Sequence, residues 1–224
     1  MPPTVLFDLD GTLIDSIELI QRSKDHAFRK RGRKAPTDEE WLTGIGIPLT
    51  AMFQRYATDD ADVASFIAGY REYQLANHDR LVRGYDGAVE TLSGLRARGH
   101  AIGVVTSKSV ELSERGLARV GLAHLVDTIV GCDSSVTHKP DPGPVLLALH
   151  RLGATPSTAV FIGDSVHDMR AGNAAGVITI GALWGPFTRE ALAPSDPTYF
   201  LERLVELPAL LERLDDETGR RGPA

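Results

Sequence analysis

The chain of 224 residues has a single cysteine and fewer basic than acidic side chains. With only Cys132 present, a disulfide within the chain is excluded and a cysteine-based zinc site is disfavoured. The 30 acidic and 24 basic residues give a formal net charge of −6, so the chain lacks the basic surface that nucleic acids and anionic membranes select. We therefore expect no nucleic-acid partner and no membrane partner.

Long apolar stretches are also missing. The longest apolar runs have the length of a strand, far short of the ~20 residues that span a membrane. Residues 1–4 lack the basic and apolar regions of a signal peptide. The hydrophobic share of 42% and the charged share of 24% are ordinary for a folded domain. We expect a cytoplasmic protein, either a monomer or a homodimer.

Short runs rich in Val and Ile predict an α/β fold. They lie at residues 4–7, 101–105, 128–130, 159–162 and 177–180. Their lack of polar alternation is typical of strands buried on both faces of a parallel sheet. Amphipathic helix patterns, with capping residues in front and glycine behind, separate the later runs. This alternation predicts a doubly wound, mostly parallel sheet.

A long insertion follows the first predicted strand. Helical patterns occupy residues 16–32, 48–57 and 60–78, and no convincing strand lies among them. Because a structureless loop of this length is rare in a compact domain, we predict a helical cap domain at 15–82. The α/β core then comprises residues 1–14 and 83–224, and its last element is a predicted helix over 200–214.

Two carboxylates, Asp8 and Asp10, follow directly on the first predicted strand. Alternate residues of an extended chain point to the same side, and two anions that converge need a cation or a shared proton. Mg²⁺ favours carboxylate and carbonyl oxygens. Gly11 permits a tight turn after the pair. An acidic strand end without a bound ion is the alternative.

Two weaker clusters follow later strands. Thr106 and Ser107 end the second strand, where hydroxyls beside a helix N-terminus hold a phosphate or simply cap the helix. Lys139 stands before two prolines that stiffen its segment. It either points into a cleft or lies on the surface as an ordinary solvated lysine.

The fourth strand runs into a second pair of acids, Asp164 and Asp168. Asp164 can coordinate a metal, and Asp168, one helical turn further on, can support the site. Capping of a helix by these acids and Ser165 is the alternative. Parallel α/β sheets bind ligands at the carboxyl ends of their strands. Because all four clusters fall there, one shared site is favoured over coincidence.

These motifs resemble the four motifs of the haloacid dehalogenase-like hydrolase superfamily. The first covers residues 8–16, Thr106 and Lys139 supply the second and third, and the fourth covers residues 163–168. The stretch 171–176 is similar to one in the phosphoglycolate phosphatase-like branch. The resemblance implies a Rossmann-like core with an α-helical cap of the C1 type.

The resemblance also implies a mechanism. The protein is expected to be a Mg²⁺-dependent phosphatase that acts on a small phosphate monoester such as phosphoglycolate. Asp8 would attack phosphorus to form an aspartyl-phosphate. Asp10 would protonate the leaving oxygen and then activate water. Thr106 and Lys139 would hold phosphoryl oxygens and neutralise their charge.

The same resemblance implies the ligands of the cofactor Mg²⁺. They are Asp8, the backbone carbonyl of Asp10, and Asp164. Asp168 would support Lys139 or the metal-bound waters. The motifs contribute three further supporting residues, Gly11, Ser107 and Ser165.

Several alternatives stay open within and beyond the superfamily. Dehalogenases lack the second acid and phosphonate-cleaving relatives replace it, so Asp10 favours phosphate chemistry and argues against a Schiff base on Lys24. Inorganic pyrophosphate hydrolysis and a sugar-phosphate mutase both use the same core, although mutases more often have Val at the position of Thr12. A phospho-acceptor signalling module shares the clustered acids, but such modules are much shorter and lack the insertion.

Substrate specificity is expected to come from the cap. Arg22 and Lys24 could bind a second anionic group of the substrate, such as a carboxylate. Gly46, in the glycine-rich loop 44–48, could reach into the cleft and exclude water. The alternatives are solvated helix residues and an ordinary turn between helices. Residues 84–87 replace a Pro-Gly pair that many relatives have where the chain returns from the cap, which affects the hinge more than the chemistry.

Overall fold

Eight strands form two sheets in the computed structural model, which describes residues 2–219. The strands are β1 (Thr4–Phe7), β2 (Ile14–Asp15), β3 (Arg83–Gly84), β4 (Ile102–Val105), β5 (Thr128–Val130), β6 (Ala159–Gly163), β7 (Ile178–Ala182) and β8 (Tyr199–Leu201). β2 and β3 pair antiparallel, and the other six form one parallel sheet in the order β5-β4-β1-β6-β7-β8. The strand that precedes Asp8 therefore lies at the centre of the sheet.

The helices divide between the parallel sheet, whose two faces the later ones cover, and a separate unit formed by the first four. They are α1 (Ile17–Lys30), α2 (Asp38–Leu42), α3 (Leu49–Gln54), α4 (Asp60–Leu81), α5 (Ala88–Ala97), α6 (Val110–Arg119), α7 (Gly143–Arg151), α8 (Val166–Ala175), α9 (Arg189–Leu192) and α10 (Leu207–Gly219). Val5 and Phe7 pack with Leu92 of α5 on one face, whereas Leu6 packs with Leu149 of α7 on the other. This burial on both faces confirms the predicted doubly wound parallel fold. Within residues 2–219, no helix combines the length and apolarity of a membrane span.

Helices α1 to α4, residues 17–81, form a unit that we call the cap. Its interior is aromatic, with Phe28, Trp41, Phe53 and Phe66 in one cluster separate from those of the sheet. The Phe53 and Phe66 rings stack with centroids 5.1 Å apart, and such a pair adds roughly 0.5–1.5 kcal/mol beyond the area that it buries. The chain enters the cap after β2 and returns through β3. The division into domains at 15–82 stays a prediction.

Several short elements were not predicted from the sequence. Helix α2 has five residues, too few for a periodic pattern, although Thr37 and Glu40 form the capping box that marks its start. The two-residue strands β2 and β3 are too short to show alternation. We expected a helix over 200–214, but residues 199–201 instead extend the sheet beside β7, and the helix begins at Leu207.

Candidate active site

The carboxyl end of β1 brings Asp8 and Asp10 to the edge of the sheet. The backbone N–H of Asp8 donates to the carbonyl of Ile162 at 2.8 Å, which continues the ladder between β1 and β6. The chain then turns at Gly11, whose φ of +90° lies in the left-handed region that glycine adopts without strain. A Cβ on Gly11 would lie 2.4 Å from Oδ2 of Asp164. Glycine is therefore required for the turn to approach this carboxylate.

Four buried side chains meet at this edge. Carboxylate oxygens of Asp8, Asp164 and Asp168 lie within 4.8 Å of one another. Nζ of Lys139 donates to Oδ1 of Asp8 and to Oδ1 of Asp168, both at 2.6 Å, and to the carbonyl of Val105 at 3.2 Å. None of the four is more than 4% exposed. The loop after β5 thus delivers Lys139 to the acids that follow β1 and β6.

Burial controls the charge of this cluster. Desolvation raises the pKa of Asp8 from 3.8 to about 7, although the ammonium of Lys139 acts in the opposite direction. Burial and the neighbouring charges of Asp8 and Asp168 also hold the pKa of Asp164 well above its ordinary value. Burial lowers the pKa of Lys139, but the carboxylates of Asp168 and Asp8 outweigh it and raise that pKa overall. A further cation is needed to keep Asp8 fully ionised at neutral pH.

Asp164 offers one oxygen that no side chain uses. The hydroxyl of Thr12 donates to Oδ1 of Asp164 at 2.9 Å, whereas the buried Oδ2 has no hydrogen-bond partner among residues 2–219. An unpartnered buried carboxylate oxygen is unfavourable unless a cation lies against it. With Asp10, the site has four acidic side chains against the two ammonium groups of Lys139 and Lys108. The oxygen donors and this excess of acidic groups fit a Mg²⁺ ion.

Asp10 is held by donors from both sides. The Ser16 hydroxyl and Nζ of Lys108 both donate to its Oδ1, the lysine at 2.6 Å. Lys108 is 8% exposed, so this ammonium is part of the site rather than of the surface. The sequence analysis missed Lys108. Its position directly after Thr106 and Ser107 was the available signal.

The hydroxyls of Thr106 and Ser107 have different hydrogen-bond partners. The Thr106 hydroxyl oxygen accepts a hydrogen bond from the backbone N–H of Lys108 at 3.2 Å, which leaves its own hydrogen free to donate. The Ser107 hydroxyl donates to the backbone carbonyl of Gly46 at 2.5 Å. Ser107 therefore joins the core to the cap and does not cap α6, whose N-cap residue is Ser109.

Asp168 divides its two oxygens between Lys139 and the start of α8. The backbone N–H and the hydroxyl of Ser165 donate to Oδ2 of Asp168 at 3.0 and 2.6 Å. The Asp168 N–H donates in return to the Ser165 hydroxyl at 3.3 Å, which completes a capping box. The sequence analysis gave helix capping and support of the site as alternative roles for Asp168. In the structure, Asp168 caps α8 and also contacts Lys139.

A cavity of about 90 Å³ lies between the core site and the cap. Asp8, Asp10 and Thr106 line its core side. The polar residues of the cap that line it, Arg71 and Gln74, lie on α4, and the sequence analysis missed them.

Arg22 and Lys24 do not line this cavity, so the expectation that they contact the substrate is corrected. Lys24 is 1% exposed, and its Nζ donates to Oδ1 of Asp38 at 2.6 Å. It therefore links α1 to α2. Arg22 forms an exposed ion pair with Glu18, one turn earlier in α1, at 2.7 Å.

Gly46 lies in the cavity wall and touches the core. Its φ is +101°, and a Cβ there would lie 2.8 Å from Oγ of Ser165 and 3.2 Å from Cβ of His167. Only glycine allows the cap loop to come this close while its carbonyl accepts from Ser107. A part for Gly46 in excluding water from the site stays a prediction.

Known proteins are similar to this chain in sequence and in fold. Residues 5–182 match the family model of the haloacid dehalogenase-like hydrolases. The pyrophosphatase PpaX of Bacillus velezensis is 39% identical over 203 residues, which cover 91% of this chain and 93% of that protein. A crystal structure described as a predicted phosphatase from Clostridium acetobutylicum is 29% identical, with a TM-score of 0.84 over 95% of this chain and 99% of the other.

A second solved structure supports the same relationship. It is described as a predicted phosphoglycolate phosphatase from Haemophilus somnus, is 25% identical, and has a TM-score of 0.86 over 93% of this chain and 97% of the other. The family match covers most of the chain, and the relatives carry phosphatase names. The chain belongs to the haloacid dehalogenase-like hydrolase family and is a phosphatase of that family.

Proposed function

We propose that this phosphatase hydrolyses a small phosphorylated molecule through an aspartyl-phosphate on Asp8. The observation that carries the proposal is the buried cluster in which Lys139 contacts Asp8 while one oxygen of Asp164 has no partner. Asp8, Asp164 and the backbone carbonyl of Asp10 would hold Mg²⁺. When bound, this ion neutralises charge on the carboxylates and on the phosphoryl oxygens.

The side chains perform two displacements at phosphorus. In the first, a carboxylate oxygen of Asp8 attacks, the bond from phosphorus to the leaving oxygen breaks, and Asp10 gives that oxygen a proton. In the second, water attacks the same phosphorus, its proton passes to Asp10, and the bond to Asp8 breaks. Inorganic phosphate leaves, and both residues return to their starting forms.

Other residues of the site would position the phosphoryl group. Lys139 and Thr106 bind its oxygens, and Asp168 fixes Lys139 through its 2.6 Å hydrogen bond. The cap closes over the site through Ser107 and Gly46 and limits the access of bulk water. Phosphoryl transfer depends mainly on positioning and on charge stabilisation. These residues would supply both.

The relatives suggest two candidate substrates. Those between 36 and 39% identical are named pyrophosphatases, and one structural relative is described as a predicted phosphoglycolate phosphatase. Each offers a phosphoryl group that could lie against Asp8, Asp10 and Thr106 in the cavity. We therefore propose pyrophosphate and phosphoglycolate as the first compounds to test.

Phosphate release tests this function. The purified protein is incubated with pyrophosphate, phosphoglycolate and simple phosphate esters, with either Mg²⁺ or EDTA. We expect release with Mg²⁺ and a loss of at least about 100-fold with EDTA, because Lys139 alone does not balance the acidic groups of Asp8, Asp164 and Asp168. Release that EDTA does not affect would contradict the metal site. A sugar-phosphate mutase would isomerise its substrate and release little phosphate.

Gly46→Ala is expected to lower kcat/KM by about 10- to 100-fold, because a displacement of about 1 Å at a closing site has effects of this size. The new Cβ would meet Ser165 at 2.8 Å and keep the cap from closing. Steady-state kinetics on the best substrate measure the effect. Gly32→Ala is the matched control, since Gly32 also has a positive φ, +62°, but has no atom within 4 Å of the new Cβ. Equal losses in both variants would show backbone strain, not blocked closure.

A further inference from the structure

The cap presents an arginine to the cavity that has no acidic partner. Arg71 of α4 lines the cavity, and its Nη1 donates to Oε1 of Gln74 at 3.2 Å. Among residues 2–219 it forms no ion pair with a carboxylate, whereas Lys30 and Arg31 of the same cap pair with Glu72 and Asp62. A cavity-facing guanidinium without a counter-ion is suited to bind an anion.

We infer that Arg71 binds a second anionic group of the substrate, carried on the leaving group, so that the enzyme selects small phosphorylated molecules with a negatively charged leaving group. This inference rests on the proposed function and specifies its substrate class. Pyrophosphate and phosphoglycolate belong to this class, and simple alkyl phosphates do not.

The placement of Arg71 relative to Asp10 supports this assignment. Asp10 protonates the leaving oxygen in the proposed mechanism, so the leaving group lies beside Asp10. Nζ of Lys108 lies 2.6 Å from Oδ1 of Asp10 on the core side. Asp10, Lys108 and Arg71 all line this one cavity, so an anionic group bound by Arg71 would share it with the leaving oxygen beside Asp10.

Gln74 fixes the arginine. It is 3% exposed and lies three residues after Arg71, on the same face of α4. Its amide oxygen accepts one guanidinium hydrogen, which leaves the other donors of Arg71 for a ligand. A planar guanidinium binds a carboxylate or a phosphate through two parallel hydrogen bonds. The geometry thus suits either anion at this position.

Kinetics on matched substrates test the inference. Ethyl phosphate resembles phosphoglycolate but lacks its carboxylate, and pyrophosphate offers a second phosphate. We expect the wild type to prefer the two anionic substrates over ethyl phosphate, and Arg71→Gln to reduce that preference by about 100-fold, as loss of a desolvated charge pair does. The preference is measured separately for phosphoglycolate and for pyrophosphate. The substrate whose preference falls more in Arg71→Gln shows whether Arg71 binds a carboxylate or a phosphate. Arg80→Gln, an exposed change outside the cavity on the same helix, is the control and should preserve the preference.

Binding to the inactive Asp8→Asn protein provides a second measurement that needs no turnover. Calorimetric titration with methylenediphosphonate, phosphonoacetate and ethylphosphonate, in the presence of Mg²⁺, compares ligands with and without a second anion. When Arg71→Gln is added, the affinity for the tighter-binding of methylenediphosphonate and phosphonoacetate should fall by about 100-fold. The affinity for ethylphosphonate should fall by far less. Equal weakening of all three would overturn the inference.

The two measurements separate the inference from the proposed function. Hydrolysis of esters without any preference for an anionic leaving group would leave the phosphatase mechanism standing and overturn the role of Arg71. Absence of hydrolysis, with binding that discriminates through Arg71, would instead overturn the proposed reaction and retain the anion site.

Discussion

Asp8→Asn is expected to abolish phosphate release, with a loss of about 10⁴-fold or more, the scale seen when a catalytic nucleophile is removed. Asparagine keeps the shape of the side chain and can still accept the hydrogen bond from Lys139. Its amide cannot form the acyl phosphate, so the first displacement is lost. Initial rates with Mg²⁺ and the best substrate measure the effect.

A matched carboxylate change controls for general effects of charge. Asp60→Asn alters an exposed residue in the first turn of α4, far along the chain from the site, and should keep the wild-type rate. Circular dichroism melts should show that the Asp8 variant still folds. Activity of Asp8→Asn at a few per cent of wild type or more would contradict a nucleophilic role for Asp8.

Lys139→Met is expected to lower the free energy of unfolding by about 3–5 kcal/mol, the cost of leaving a buried ion unpaired. Nζ of Lys139 makes 2.6 Å contacts with both Asp8 and Asp168. Methionine fills similar space but supplies no charge, so two buried carboxylates face each other. Urea denaturation at neutral pH without metal measures the loss, and phosphate release should fall with it.

Two comparisons make the Lys139 result specific. Lys34→Met, at an exposed position, should change stability by less than about 0.5 kcal/mol. Combining Lys139→Met with Asp168→Asn should cost less than the sum of the single changes, because the second change removes one of the carboxylates left unpaired. Strict additivity would contradict a direct electrostatic coupling between these residues.

The sequence predicts the α/β core well because its physical signals are local. Strands buried on both faces appear as unbroken apolar runs, and a parallel sheet brings their carboxyl ends to one edge. Asp8, Thr106 and Asp164 directly follow such strands, so their placement follows from topology. The place of Lys139 in the site was harder to predict, because this residue lies in a loop nine residues beyond β5. Only the resemblance to the family indicated a role for it.

The cap contacts were less predictable because they depend on distant packing. Lys24 and Arg71 are both basic residues on helices, and no local pattern distinguishes them. Folding pairs Lys24 with Asp38 and leaves Arg71 facing the cavity. Lys108 reaches Asp10, 98 positions earlier in the chain. Such pairs are set by how α1, α4 and the core meet, which a single sequence does not reveal.

Trapping the phosphoryl-enzyme tests the central claim most directly. Radiolabelled substrate, mixed with the wild type and quenched in acid within one turnover, should leave label on the protein that hydroxylamine removes, as an acyl phosphate requires. Peptide mapping should locate that label on Asp8. Asp10→Asn should retain more label, because the water step is slowed, and Asp8→Asn should retain none. Label that resists hydroxylamine, or persists without Asp8, would contradict the mechanism.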